Sequence, residues 1–195
     1  MVSVIIPYNK DRGYLNAAIE SVGSQVYKDY ELILEESDSI FSVNINNGIR
    51  KARGEFIKML AEDDELTPNC LSILVKAIKG YDFVYADAQN FGDINGWGQF
   101  SHDHTTSFEE MLVGNRIHGG TCLYRKSALE EVGLYDEKLW TAEEYDLHMK
   151  LLKAGYKHRH IPAVVYRYRL HGNNKSLGNR VMRQELIKQI RKRYV

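Results

Sequence analysis

Three groups of side chains in this sequence have types and spacings that could carry chemistry. Asp63 and Asp64 follow the apolar run Phe56 to Leu60, which would place them at the carboxyl edge of a strand, where open α/β sheets bind ligands. Adjacent carboxylates there can hold a hard divalent cation, and Mg²⁺ or Mn²⁺ at that edge would bridge a diphosphate. The competing reading is that Glu62 to Glu65 complement the positive end of the helix that follows. Glu143 and Glu144 stand at a predicted helix start, where a partly buried carboxylate could deprotonate a bound hydroxyl. Glu144 also completes the capping-box spacing that begins at Thr141, which gives it a structural reason to exist. His171, in Arg167-Tyr168-Arg169-Leu170-His171-Gly172, can ligate a metal, contact phosphate or simply face solvent.

The elements that must position these groups alternate between strand and helix. Val2 to Ile6 is a β-branched run closed by Pro7, apolar enough to be buried on both faces. Leu15, Ala18, Ile19 and Val22 recur at helical spacing, and a second strand, Tyr30 to Leu34, follows the polar turn at Lys28-Asp29. Ile45, Ile49 and Ala52 predict a helix that stops at Gly54, ahead of the strand Phe56 to Leu60. Thr67 as cap and Pro68 as first residue open a helix buried through Leu71, Leu74, Val75 and Ile78, and Asp82 to Ala86 is the next strand. From Asn90 to His104 the chain is polar and Gly-rich without periodicity, which predicts a mobile loop over a site. Ser107 to Glu110, Ser127 to Glu130 and Thr141 to Glu144 all have capping-box spacing, with a strand at Thr121 to Tyr124 between the first two. Leu147, Leu151 and Ala154 carry the third of these helices to Gly155, Ile161 to Tyr168 is a last strand, and Val181 to Tyr194 a terminal helix. Such alternation makes a layered α/β sheet.

Bulk properties narrow the function classes. With 195 residues the chain has the length of one domain, enough to bury about two thirds of its unfolded surface. A composition of 44% hydrophobic and 27% charged residues excludes disorder. Lys plus Arg and Asp plus Glu number 26 each, so no global charge draws the chain to nucleic acid or membrane. Locally, Arg180, Arg183, Lys188, Arg191, Lys192 and Arg193 crowd the C-terminal segment. Cys70 and Cys122 form neither a disulfide framework nor a metal-ligand spacing, which fits a reducing cytosol. Apolar runs fall short of the ~18 residues of a membrane span, and the chain opens on a strand rather than a signal peptide.

One ordered series of motifs sharpens this. It starts with Val2-Ser3-Val4-Ile5-Ile6-Pro7-Tyr8-Asn9, Ala18-Ile19-Glu20-Ser21-Val22, Tyr30-Glu31-Leu32-Ile33 and Asn46-Asn47-Gly48-Ile49. It continues through Ala52-Arg53-Gly54-Glu55-Phe56-Ile57, Asp63-Asp64, Asp82-Phe83-Val84-Tyr85-Ala86-Asp87, Glu131-Val132-Gly133-Leu134-Tyr135-Asp136, Glu143-Glu144-Tyr145-Asp146-Leu147 and Tyr166 to His171. The series closely resembles family 2 glycosyltransferases of the GT-A fold, over residues 2 to about 176.

That resemblance implies a nucleotide lying across the first strand ends, against Pro7, Tyr8 and Asn9. The family's Asp-Asp-Gly-Ser after strand two reads Glu36-Ser37-Asp38-Ser39 here, so Ser37 replaces the Asp that usually meets the base, and Glu36 or Asp38 compensates. Asn46, Glu62 and Asp63 complete the implied nucleotide-sugar contacts. The metal motif Asp-x-Asp-Asp reads Ala61-Glu62-Asp63-Asp64; the first carboxylate is missing, Asp63 carries over as ligand to Mn²⁺ or Mg²⁺, Asp64 is secondary, and His171 matches a histidine that approaches metal or diphosphate. The family's Glu-Asp pair, whose second member is the general base of inverting members, matches Glu143-Glu144 and makes Glu144 the base.

The expectation is therefore a single α/β domain of GT-A, Rossmann-like type: a mostly parallel mixed sheet flanked by helices, shortened on the nucleotide side between Ser39 and Asn46. Residues 1–88 would form the nucleotide-sugar-binding half, 89–176 the acceptor and catalytic half, and 177–195 a basic C-terminal helix. The implied activity is metal-dependent transfer of a sugar from a nucleotide-diphosphate donor, a UDP-sugar favoured, to a hydroxyl of a glycan or glycolipid, with inversion. The expected location is cytoplasmic, with peripheral membrane or anionic contact open to the basic helix and no obligate protein partner. Two alternatives stand beside it: a non-catalytic sugar- or nucleotide-binding relative, and a glycosyltransferase acting on modified nucleic acid.

Overall fold

The computed structural model describes residues 1–92, 99–100, 104–172, 174 and 180–195. Strand β1 (Val2–Tyr8) is the apolar run that opens the chain, and it is buried along nearly its whole length because it pairs in parallel on both sides, with β2 (Tyr30–Glu36) and β3 (Phe56–Met59). The remaining strands are β4 (Glu65–Leu66), β5 (Phe83–Gly92), β6 (Gln99–Phe100), β7 (Leu123–Arg125) and β8 (His158–Leu170). The sheet order is β2-β1-β3-β7-β5-β8-β4, with β6 on β5. The long registers, β1 with β2 and β5 with β8, are parallel, whereas each antiparallel contact is only two or three residues long. This is the expected mixed sheet.

Alternation along β1 sends Val2, Val4 and Ile6 to one face and Ile5 to the other. The first face is covered by α1 (Leu15–Gly23) and α3 (Cys70–Ala77) through Leu15, Ala18, Val22, Leu71 and Leu74. On the opposite face, the helices are α2 (Phe41–Lys51), α4 (Phe108–Val113), α5 (Lys126–Glu131), α6 (Glu143–Lys153) and α7 (Arg180–Arg191). Helix α2 starts five residues after β2 ends, earlier than its apolar spacing predicted, so the shortened nucleotide side is present. It also lies so close to β1 that a Cβ on Gly48 would overlap the Ile5 side chain.

Local signals set some boundaries and tertiary packing set others. Ser107 makes its capping box: Glu110 N donates to Ser107 Oγ (3.2 Å) and Ser107 N to Glu110 Oε2 (2.8 Å). The other two boxes do not form. Ser127 lies inside α5, and α6 begins two residues after Thr141, behind Ala142, which holds φ 60°. Thr67 does not cap α3 either; its hydroxyl donates to Val164 O across the sheet, and α3 starts at Cys70. The expected loop from Asn90 to His104 is partly strand, since residues 90–92 continue β5 along β8 and Gln99–Phe100 form β6; residues 93–98 and 101–103 lie outside the described residues.

Asn46 was expected at the nucleotide, but it is 1% exposed and works as a clamp. Its Nδ2 donates to Tyr135 O and Glu137 Oε1, both at 2.9 Å, and its Oδ1 accepts from Tyr135 N at 3.0 Å, tying α2 to the segment ahead of α6. Asn46→Ala should therefore cost ~2–3 kcal/mol of stability by leaving two backbone groups unpaired, while donor affinity is unchanged. Urea denaturation and donor titration on one preparation check both halves of this expectation.

Candidate active site

A cavity of about 960 Å³ opens where the carboxyl ends of β1 and β3 face the start of α6. Pro7, Tyr8, Asn9 and Asp38, the residues expected to meet a nucleotide, all line it. Glu36 does not reach it: the Glu36 carboxylate accepts a 3.0 Å hydrogen bond from Tyr8 OH and orients that ring from behind. Asn44, two residues before Asn46 and so on the opposite face of α2, lines the cavity instead, its amide held by Ser37 O at 3.0 Å.

The turn after β3 divides the acidic run by direction. Glu62 lines the cavity beside Arg12, whose Nε lies 3.4 Å from its Oε1. Asp63 also faces the cavity, and His171 stands behind it with Nε2 2.9 Å from Asp63 Oδ2, packed on the Tyr14 ring at 5.2 Å. Asp64 turns inward. Its Oδ2 accepts from Tyr166 OH and its Oδ1 from Arg169 N, both at 2.7 Å, and only 2% of the residue is exposed. Burial, and then the Asp63 charge, push the Asp64 carboxyl well above the usual carboxylate range. Each Asp64 oxygen thus has a partner on β8, which makes the residue a structural tether at the cavity edge beside Asp63.

Among the described residues there is no group of three or more metal-ligating side chains. The donors at this edge centre on the Asp63 carboxylate with the His171 imidazole beside it and Glu62 and Asp64 flanking, and they fit a cation of the Mg²⁺ type, which takes one or two carboxylates and fills its other positions from substrate phosphates and water.

Across the cavity, Glu143 and Glu144 occupy the first turn of α6, where the helix end favours negative charge. Glu143 is 8% exposed and Glu144 half-buried, and both line the cavity. Glu144 is no capping residue, since no side chain caps α6. Its carboxylate instead rests on the backbone of Gly119, where a Cβ would overlap it. Gly119 belongs to a single 3-10 turn, Gly119–Thr121, pinned by Thr121 Oγ1, which donates to His118 O at 2.8 Å and accepts from Ala86 N at 3.3 Å.

Several residues here were not singled out by the sequence reading. His118 lines the cavity, and burial, with Lys58 and Arg183 adding to it, holds its imidazole down to about 4, so it is neutral at physiological pH. Arg183 reaches the cavity from α7. Lys58 lies under the floor, fully buried. A lysine inside the apolar strand β3 and a Gly-Gly pair before β7 were the available signals. The basic tail, by contrast, is partly spent inward: Arg191 Nε reaches Tyr145 OH at 3.3 Å, and Arg193 contacts Asp136 (3.1 Å) and Asp146 (3.3 Å).

A mixed sheet whose strand ends and helix start enclose such a cavity is the architecture of the GT-A glycosyltransferases. Residues 35–133 match the family model described as glycosyl transferase family 2, and the chain belongs to that family. Among its relatives, the uncharacterized glycosyltransferase YwdF of Bacillus subtilis is 23% identical, covering 98% of this chain and 82% of that protein. The GalNAc(5)-diNAcBac-PP-undecaprenol beta-1,3-glucosyltransferase of Campylobacter jejuni is 28% identical, over 85% of this chain and 64% of that one. The crystal structure of S. aureus TarS in complex with UDP-GlcNAc shares the fold, with a TM-score of 0.77 at 15% identity, covering 97% of this chain and 66% of that one. The chain thus spans about two thirds of the length of the last two. No described helix is long and apolar enough to cross a membrane.

Because its carboxyl is raised, Asp64 holds its proton to higher pH in the folded protein than in the unfolded chain. Its contribution to stability is present below the ordinary carboxylate value of ~4 and is lost as pH rises through the folded value. Asp64→Asn, which resembles the protonated acid, should be at least as stable as the parent at pH 7, with its advantage growing between pH 4 and pH 7. Denaturation midpoints across that range measure this, and a loss above ~2 kcal/mol at neutral pH would contradict it.

Proposed function

We propose that the protein transfers a sugar from a nucleotide-diphosphate donor, a UDP-sugar favoured, to a hydroxyl of a glycan or glycolipid acceptor, with inversion at the anomeric carbon. The observation that carries this reading is the placement of Glu144: a carboxylate at a helix start, held across one cavity from Asp63 and His171. Two relatives support the substrate classes, since a TarS structure holds UDP-GlcNAc and the C. jejuni enzyme is named for a lipid-diphosphate-linked glycan.

In this mechanism the donor's nucleoside lies against Pro7, Tyr8, Asn9 and Asp38, which puts its diphosphate near Asp63. The acceptor oxygen attacks the anomeric carbon from the Glu144 side, the bond from that carbon to the diphosphate oxygen breaks on the opposite side, and the acceptor proton passes to Glu144. Asp63, with His171 beside it, would hold Mn²⁺ or Mg²⁺, which offsets the charge developing on the leaving diphosphate. Neutral His118 and the aromatic rings of Tyr166 and Tyr168 form the wall beside Glu144 where an acceptor sugar can stack. On α7, exposed Val181, Met182 and Lys188 remain for the peripheral membrane contact that a lipid-linked acceptor would favour.

Glu144→Gln should lower turnover by ~10²–10⁴-fold while donor affinity and melting temperature stay near the parent values, because the amide cannot take the proton and no helix cap depends on it. UDP release from UDP-GlcNAc and UDP-glucose with a polyprenyl-diphosphate-linked glycan as acceptor is the assay; near-normal turnover would move the base elsewhere. In the same assay Asp63→Asn should cut divalent-stimulated turnover by at least ~10²-fold, and Glu62→Gln by much less. Equal losses would remove Asp63 from the metal site.

A further inference from the structure

Lys58 is the least expected residue in the core. It sits in β3 between Ile57 and Met59, is 0% exposed, and among the described residues makes no ion pair with a carboxylate. Its ammonium instead donates to two backbone carbonyls, Met59 O at 3.0 Å and Gly120 O, and lies 5.1 Å from the centroid of the Tyr166 ring. Burying an amine this deeply is costly unless its donors are all used, and an apolar residue would fill the same position in an otherwise apolar strand. What the amine holds is specific. Gly120 belongs to the 3-10 turn, its Cα lies so close to the Tyr166 ring that a Cβ would overlap it, and the preceding residue, Gly119, is the surface on which the Glu144 carboxylate rests.

We propose that Lys58 is a positioning residue for transfer: it fixes the Gly119–Thr121 turn from beneath, and the turn fixes the direction of the Glu144 carboxylate. The inference rests on the reading of Glu144 as the base. The chain of contact runs from Lys58 Nζ to Gly120 O, through one peptide to Gly119, and from Gly119 to Glu144, with Tyr166 and Thr121 holding the turn at its sides. Because the donor's nucleoside and diphosphate contact other walls of the cavity, loss of this support should act on turnover and leave donor binding alone.

The test is a double-mutant cycle with Glu144→Gln, read as kcat, donor KM and melting temperature. Lys58→Met, similar in length but without a donor, should lower kcat by ~10–10²-fold with donor KM changed less than about threefold. Combined with Glu144→Gln it should add little further loss, since both changes remove one function. Gly119→Ala, which leaves Lys58 intact and displaces the same carboxylate from above, should repeat this pattern, and it carries the test if Lys58→Met does not fold. Folded variants with unchanged kcat, or losses that multiply with Glu144→Gln, would overturn the positioning role. Near-normal turnover in Glu144→Gln alone would instead overturn the reading of Glu144.

Discussion

The rest of the site depends on one buried tether, the carboxyl of Asp64 bound by Tyr166 OH and Arg169 N. It joins the exit of β3 to the end of β8, more than a hundred residues later in sequence. Everything on either side follows from its direction. With the Asp64 carboxyl tied to β8, the tight turn from Ala61 to Asp64 is held in place and Asp63 is left facing the cavity. With Tyr166 anchored, its ring becomes the support for Gly120 and the neighbour of Lys58. The salt bridges from Glu65 to Arg167 and Arg169 continue the same seam on a more solvated face, where such pairs contribute little on their own.

The second constraint is close backbone approach. At Gly48, Gly119 and Gly120 a single methyl group would collide with Ile5, Glu144 or Tyr166. The first collision would lift α2 off the sheet, and the other two would disturb the wall that carries the Glu144 carboxylate. Stability and function are therefore set by the same kind of contact in different layers of the molecule, and the cavity wall has no slack to absorb a larger side chain.

Much of the fold was legible because long apolar runs leave a chain few choices. β1, β3 and the stripes of α1 and α3 fell where periodicity put them, and α6 did so through Leu147 and Leu151, with Ala154 exposed just past its end. The helix starts were less legible: capping-box spacing predicted three and delivered one, since Ser127 and Thr141 have the right neighbours in sequence but tertiary packing starts their helices elsewhere. At the site, positions fixed by motif order were readable, among them Tyr8, Asp63 and Glu144. Positions fixed by side-chain direction were not: Asn46 and Asn44 differ by two residues on one helix, and only the path of the 135–137 segment decides which of them meets the cavity. Asp64 illustrates the same limit, because two adjacent aspartates look alike in sequence and point apart in space.

Ala142 introduces α6 with a left-handed backbone, φ 60°, that glycine adopts freely and alanine at a cost on the order of 1–3 kcal/mol. It is 6% exposed and immediately precedes the two glutamates. A glycine there would relax the strain and loosen the joint at once, so the position sets rigidity against ease of folding. The chain keeps the stiffer option at a joint whose play would pass directly to Glu143 and Glu144, and a selection for thermostability alone would be expected to erode that choice first.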